Sequence, residues 1–276
     1  MTGFSISWLD LREKADFAAR DKNIAKSAVD WLNQKSNHFS PGKIIVDLGS
    51  GTGSTLRALS ELGIYNFGAN NVVWRLVDYN GALLDEALKR HGKSCLIEDY
   101  QSDLTVINEL PLGGAHLVTA SALFDLASAE FVDALAIELA ARNIGLYAAL
   151  NYDGVTDWTP THPYDQTVLD AFNKDQLRDK GMGPALGPHS GSYLQHAFEK
   201  SGYHVVVASS PWQLKSTDYK LVEELINGIA NAVSVDYALD TTALEEWKTF
   251  RLAHANTGTC IIGHQDVFAI PKSEVK

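Results

Sequence analysis

Short apolar runs alternate with stretches of helical periodicity through most of this 276-residue chain. The runs 43-KIIVDL-48, 72-VVWRLVD-78, 93-KSCLIE-98, 116-HLVTAS-121, 144-IGLYAAL-150, 203-YHVVVASS-210 and 259-TCIIGHQDVFAI-270 predict seven strands. Four are almost continuously apolar, which suits strands covered by helices on both faces. Between them, 81-GALLDEALKRHG-92 places Leu84, Ala87 and Leu88 on one helical face with Gly92 as a stop, and 130-EFVDALAIELAAR-142 is a further helical stretch. This alternation predicts an α/β fold built on a doubly wound, seven-stranded, mostly parallel sheet.

Three regions stand outside the alternation. Residues 8–36, opening 8-WLDLREKADFAARDKNIAKSAVDWL-32, read as two amphipathic helices ahead of the first strand. Residues 151–200 open with an aromatic, proline-containing loop, 151-NYDGVTDWTPTHPYDQTV-168, and pass through a helix and 181-GMGPALGPHSGSY-193 to another helix. Residues 211–257 carry two more helical patterns, 217-TDYKLVEELINGIANAV-233 and 241-TTALEEWKTFRLAHA-255. No internal repeat, low-complexity tract or linker divides the chain, so one domain with helical additions is expected.

Bulk properties narrow the function classes. A formal charge of −11 and the lack of any basic run argue against a nucleic-acid partner. Asp125 and Asp133 interrupt the best apolar run, so no membrane span is expected. Asp10, Glu13 and Asp16 stand where a secretory leader would need apolar residues. Cys95 and Cys260 sit in apolar, strand-like contexts and read as buried, reduced thiols. A soluble, cytoplasmic protein is expected.

The most informative stretch is 44-IIVDLGSGTGSTLRALS-60, where a buried strand meets an acid, three alternating glycines and then a helix. A glycine-rich turn at the carboxyl end of a strand lets backbone amides approach a ligand, and the helix N-terminus adds partial positive charge. A dinucleotide fold asks for G-x-G-x-x-G, which would put the third glycine at position 54. Ser54 occupies that position and Gly53 precedes it. A tight structural turn is the plain alternative.

The segment 47-DLGSGTG-53 resembles the cofactor loop of class I, Rossmann-like methyltransferases, which bind S-adenosylmethionine (SAM) and release S-adenosylhomocysteine (SAH). The resemblance covers roughly residues 43–150. It implies that the last two strands form an antiparallel pair at one edge, and that Asp47, Gly49, Ser50, Gly51 and Gly53 belong to the cofactor site. It further implies that Asp78, beside Tyr79 in 76-LVDYN-80, holds the ribose diol, with Asn80 capping the following helix. In 99-DYQSDL-104, Asp103 and Leu104 map onto the adenine contacts, with Asp99 as a rival. Ser121 and Ala122, in 119-TASALFDL-126, map beneath the methionine portion. The stretch 8-WLDLREKADFAARD-21 is similar to the covering segment of a largely uncharacterised bacterial subgroup, with Arg20 as partner of the methionine carboxylate. The expected organisation is a single domain with a helical cap at 1–40, a SAM-binding core at 41–150, a substrate-pocket insertion at 151–200 and the last strands with inserted helices at 201–276.

Methyl transfer from a sulfonium depends chiefly on alignment of the acceptor, with a base needed only where the nucleophile arrives protonated. The expected acceptor is a small molecule. Tyr152, Trp158 and Tyr164 are candidates to line its pocket, and Asp153, His162, Asp165 and His189 to orient it or take a proton. A metal site from His162, Asp165 and His189 lacks a compact ligand motif, so no metal is expected. The 211–257 helices suit packing beside the sheet or a homodimer surface. DNA amino-methylation would need an Asp/Asn-Pro-Pro-Tyr/Phe run where 121-SALFD-125 stands. Two rival functions are an NAD(P)-dependent oxidoreductase, for which no suitably placed Tyr-x-x-x-Lys pair exists, and a non-catalytic SAM-binding protein.

Overall fold

The structure is a computed structural model that describes residues 4–35, 42–63, 72–234 and 240–274. Eight strands form one sheet: β1 (Lys43–Leu48), β2 (Val72–Asp78), β3 (Leu96–Gln101), β4 (Leu117–Ser121), β5 (Gly145–Thr159), β6 (Tyr203–Ser209), β7 (Trp212–Leu214) and β8 (Thr259–Pro271). Their order is β3-β2-β1-β4-β5-β8-β6, with β7 paired to β8. The pairs β1–β2, β1–β4, β2–β3 and β4–β5 are parallel, whereas β8 runs antiparallel to β5, β6 and β7. The mostly parallel sheet with a reversed last strand thus stands as expected, and the three-residue β7 is an addition to the seven predicted strands.

The helices are α1 (Ile6–Ala19), α2 (Lys22–Gln34), α3 (Ser54–Glu61), α4 (Gly81–His91), α5 (Ala129–Arg142), α6 (Asp165–Gln176), α7 (Ser190–Lys200), α8 (Tyr219–Val233) and α9 (Thr241–His254). Local chemistry sets several of their ends. Asp21 accepts the amides of Asn23 and Ile24 at the start of α2, and Ser128 accepts that of Phe131 at the start of α5. Asn143 closes α5 in the left-handed conformation.

Strand alternation divides the central sheet between two apolar layers. Val46, Leu48, Val118 and Leu146 join Leu135 and Leu139 of α5 and Phe198 of α7. On the other face, Ile45, Trp74 and Tyr147 join Ala28 and Leu32 of α2, Leu59 of α3 and Leu84 of α4. With both faces covered, these strands have no solvent side, which is why their sequences read as continuous apolar runs.

Two expectations are corrected. The strand placed at 93–98 lies three residues later, at Leu96–Gln101, because the amides of Ser94 and Cys95 both bond back to the carbonyl of His91 and close α4. As the sheet's edge, β3 is exposed or half-buried throughout, so its hydrophobic pattern marks its position poorly. The aromatic loop predicted from residue 151 continues as β5 as far as Thr159, paired to β8 through two register shifts. Those irregularities conceal the strand in the sequence: Leu150 and Gly154 take positive φ, and Asp153 Oδ1 accepts the amide of Val155. The extension of β5, with β7, α6, α8 and α9, builds a third apolar cluster around Trp158, Trp212, Trp247 and Ile226.

Candidate cofactor and acceptor cavity

At the carboxyl end of β1 the chain passes through Gly49, Gly51 and Gly53 at φ of +63°, +54° and +84°. This left-handed backbone costs an L-residue about 1–2 kcal/mol and costs glycine almost nothing. Space adds a second constraint. A Cβ on Gly51 would lie 3.1 Å from Leu9 Cδ1 of α1, and one on Gly49 would lie 3.3 Å from Leu123 Cδ1. The turn is fastened to β2, with the Ser50 amide donating to the Val77 carbonyl at 3.0 Å and the Gly51 amide to Asp78 Oδ2 at 2.8 Å.

Asp78 ends β2 and carries two roles at once. Its Oδ1 accepts the Asn80 amide at 2.9 Å while Oδ2 holds the glycine turn. The cap of α4 is Asn80, whose side chain accepts the Ala82 amide at 3.1 Å. Burial raises the Asp78 carboxyl above the ordinary carboxylate range, and the amides of Asn80 and Gly51 act in the opposite direction.

A cavity of about 300 Å³ opens over this turn. Gly49, Ser50, Gly51, Asp78, Tyr79, Asp103, Leu104, Ser121 and Ala122 all line it, so the carboxyl ends of β1, β2 and β4 and the loop after β3 converge there. Asp103 is held in place by the amide and hydroxyl of Thr105, at 2.9 and 2.8 Å, which lower its pKa. Asp99, its rival, is paired within β3 opposite Leu76 and does not line the cavity.

Three residues expected at the cofactor stand behind the wall. Gly53 is the N-cap of α3. Asp47 is fully buried and accepts the Thr119 hydroxyl at 2.7 Å; burial pushes its pKa up to about 7. Arg20 is 6% exposed and donates from Nη2 to Ser121 Oγ at 2.9 Å, so it reaches the cavity through a residue that lines it. Its Nε and Nη1 are buried without hydrogen-bond partners.

The expected acceptor residues lie elsewhere. Pairing of β5 with β8, which sets Trp158 opposite Cys260, turns Tyr152 and Trp158 into the third apolar cluster. The Tyr152 hydroxyl donates to Asn173 Oδ1 at 2.8 Å, and Trp158 packs edge-on against Trp247 with the Arg251 guanidinium over its ring. His162 is wedged between Tyr164 and Phe250, and Asp165 is bound by Arg251 and Trp247. Asp153 caps a turn within β5, and the exposed His189 leads into α7. Among the described residues, none of Tyr152, Asp153, Trp158, His162, Tyr164 and His189 lines the cavity. No group of described His, Cys, Asp or Glu residues is arranged to hold a metal ion, and no described helix is long and apolar enough to cross a membrane.

In their place, α1 supplies Leu9, Arg12 and Asp16, and the 151–200 segment reaches the cavity through Gly181 and Met182. Leu9, Arg12 and Asp16 are spaced three and four residues apart, a helical face that was visible in the sequence. Met182 sits in a glycine-flanked loop whose pattern points nowhere. Its position comes from the bonds of Leu186 and Gly187 amides to the carbonyls of Ala127 and Asp125, which stitch this loop to the one after β4. Ion pairs of Asp10 with Arg90 of α4 and of Glu13 with Arg57 of α3 hold α1 from outside.

No protein-family model matches this chain, and no curated protein matches it in sequence. Several solved structures have a similar fold. A cyclopropane-fatty-acyl-phospholipid synthase-like protein from Lactobacillus casei is 14% identical with a TM-score of 0.49, over 94% of this chain and 99% of that one. A cyclopropane synthase from Mycobacterium tuberculosis is 13% identical with a TM-score of 0.46, over 96% and 94%. A geranyl diphosphate C-methyltransferase from Streptomyces coelicolor, solved with Mg²⁺, geranyl diphosphate and SAH, is 11% identical with a TM-score of 0.43, over 89% and 77%.

Proposed function

We propose that this chain binds SAM in the cavity over the glycine turn and transfers its methyl group to a small-molecule acceptor. One observation carries the reading: a left-handed G-x-G-x-G turn is bonded directly to the carboxylate that ends the neighbouring strand, and both face the same cavity. The residues fit the group. At Gly49 and Gly51 the wall is bare backbone, and an added Cβ would crowd Leu123 and Leu9. Each Asp78 oxygen accepts one amide and keeps a lone pair for a ribose hydroxyl. All four of Asp103, Leu104, Ser121 and Ala122 line the cavity, and on this reading the first two meet the adenine and the last two the methionine portion.

Bound SAM supplies a methyl group already activated on a sulfonium. The chain's task is then to hold the acceptor in line and exclude water. The part of the wall left over for the acceptor is formed by α1, Leu126 and Met182. Asp153, His162 and His189 stand outside that wall, and the reading gives them no direct contact with the acceptor.

Calorimetric titration with SAM, SAH, NAD and NADP tests the cofactor. Micromolar binding of SAM and SAH, with neither dinucleotide binding, is the expected result; preference for NAD or NADP would overturn it. Turnover of radiolabelled SAM with a small-molecule library then separates an enzyme from a SAM-binding protein.

A further inference from the structure

Arg12 occupies an unusual position on the cavity wall. Its Nε donates to Asp16 Oδ2 at 2.9 Å and its Nη2 to Asp16 Oδ1 at 3.1 Å. The guanidinium lies 5.1 Å from the centre of the Trp212 ring, and Trp212 Nε1 donates to the same Asp16 Oδ1 at 3.0 Å. Trp212 is 3% exposed and Asp16 6%, so a buried carboxylate and a buried indole together fix the plane of the guanidinium. One edge of that plane is committed. The other is free: Nη1 has no hydrogen-bond partner among the described residues and is not sealed inside the protein.

We propose that Arg12 anchors the methyl acceptor, and that this acceptor is a small apolar monocarboxylate. The proposal rests on the SAM reading above. A planar donor edge with its orientation fixed matches a carboxylate in two parallel hydrogen bonds. The same cavity is lined by the apolar Leu9, Leu126 and Met182, which offer contact to a hydrocarbon body. A single negative charge fits better than the double charge of a phosphate. Asp16 already balances Arg12, and the nearby Asp125 adds a buried carboxylate oxygen with no partner. The other buried guanidinium in this region, Arg20, donates to Ser121 behind the wall and offers no second cation at this position. Arg12 stacks on Trp212 of β7, away from the strands β1, β2 and β4 whose ends carry the expected cofactor contacts, and on the proposal its partner is the acceptor.

The test titrates full-length, SAH-saturated protein with straight-chain monocarboxylates from acetate to decanoate and with benzoate, each against its primary amide. The expected result is that at least one acid binds ten times more tightly than its amide. Arg12→Gln and Arg12→Lys should then lose roughly ten- to a hundredfold in affinity for that acid, the loss for a charge-assisted pair, with SAH affinity unchanged. The melting temperature should fall in Arg12→Gln, which leaves the buried Asp16 unpaired, and less in Arg12→Lys, which keeps the charge. The proposal is overturned if no acid binds, if acids and amides bind alike, or if the variants bind the acid as the parent does. A fall in SAH affinity and melting temperature together would show a mere tether of α1. A fall in SAH affinity with 5′-methylthioadenosine unaffected would assign Arg12 to the cofactor's own carboxylate, and both results overturn the acceptor role. Should the parent bind no SAH, the SAM reading fails separately, and titration of the acids into ligand-free protein still decides the role of Arg12.

Discussion

Gly51→Val separates the ligand-binding role of the glycine turn from its folding role. In the folded protein, valine at φ +54° takes a left-handed conformation that costs about 1–2 kcal/mol for an ordinary L-residue and more for a β-branched one. Its Cβ lies 3.1 Å from Leu9 Cδ1, the flexible end of a side chain on α1, so the clash is relieved by a shift of a few tenths of an ångström. The Gly51 amide that bonds Asp78 is retained, since the substitution leaves the backbone donor in place. Against a domain stability of about 5–15 kcal/mol the protein stays folded. At roughly 2–4 °C per kcal/mol, the melting temperature should fall by at least about 2–8 °C. The effect on the ligand is separate. Three added carbon atoms stand at a wall of the cavity of about 300 Å³, where the cofactor has to meet bare backbone. Relieving such overpacking costs about 1–3 kcal/mol, a loss of roughly five- to 150-fold in affinity. Calorimetry with SAH, beside circular dichroism and a thermal melt, measures both quantities. A folded variant with SAH affinity within threefold of the parent would refute the assignment of this turn to the cofactor.

Asp78→Ala should weaken SAM and SAH alike by about 2–4 kcal/mol, since the ribose is common to both and the glycine turn loses its anchor; a change in melting temperature alone, with both affinities intact, would reduce Asp78 to a structural tie. Trp158→Ala should cost about 3–5 kcal/mol of stability because the ring is 6% exposed in the third cluster, and His162→Ala should likewise leave SAH affinity unchanged; weaker SAH binding by either folded variant would return the 151–165 segment to the site. Asp47→Asn tests the buried carboxyl through pH. Its folded pKa is raised from 3.8 to about 7, so its contribution to stability is complete below about pH 4 and is lost as pH rises through 7. The parent's melting temperature should therefore fall more steeply than the variant's between pH 4 and 7, and parallel curves would mean that Asp47 ionises normally.

How far the sequence reaches depends on whether a residue's neighbours are near it along the chain. The central strands announce themselves because burial on both faces leaves β1, β4 and the start of β5 few polar positions, and the interior pair Asp47 and Thr119 bond to each other. The glycine turn is legible for a similar reason, since its backbone requirement is local and only three alternating glycines meet it at this point. Asn80 as the cap of α4 and the contribution of Asp78, Asp103 and Ser121 to one cavity follow from their places at or just past the carboxyl ends of parallel strands. The acceptor side had no such signature. Tyr152, Trp158 and His162 have the composition of a pocket, yet pairing across to β8, more than a hundred residues away, buries them against α6, α8 and α9. Irregular pairing breaks the period of two, so nothing along 151–159 marks it as a strand. Arg12 shows the converse. It reads as one more charge on an amphipathic helix until Asp16, a turn away, and Trp212, two hundred residues on, fix its plane at the cavity wall. Local backbone chemistry was written in the sequence, whereas the choice of side chains at the cavity wall belongs to contacts that only the folded chain creates.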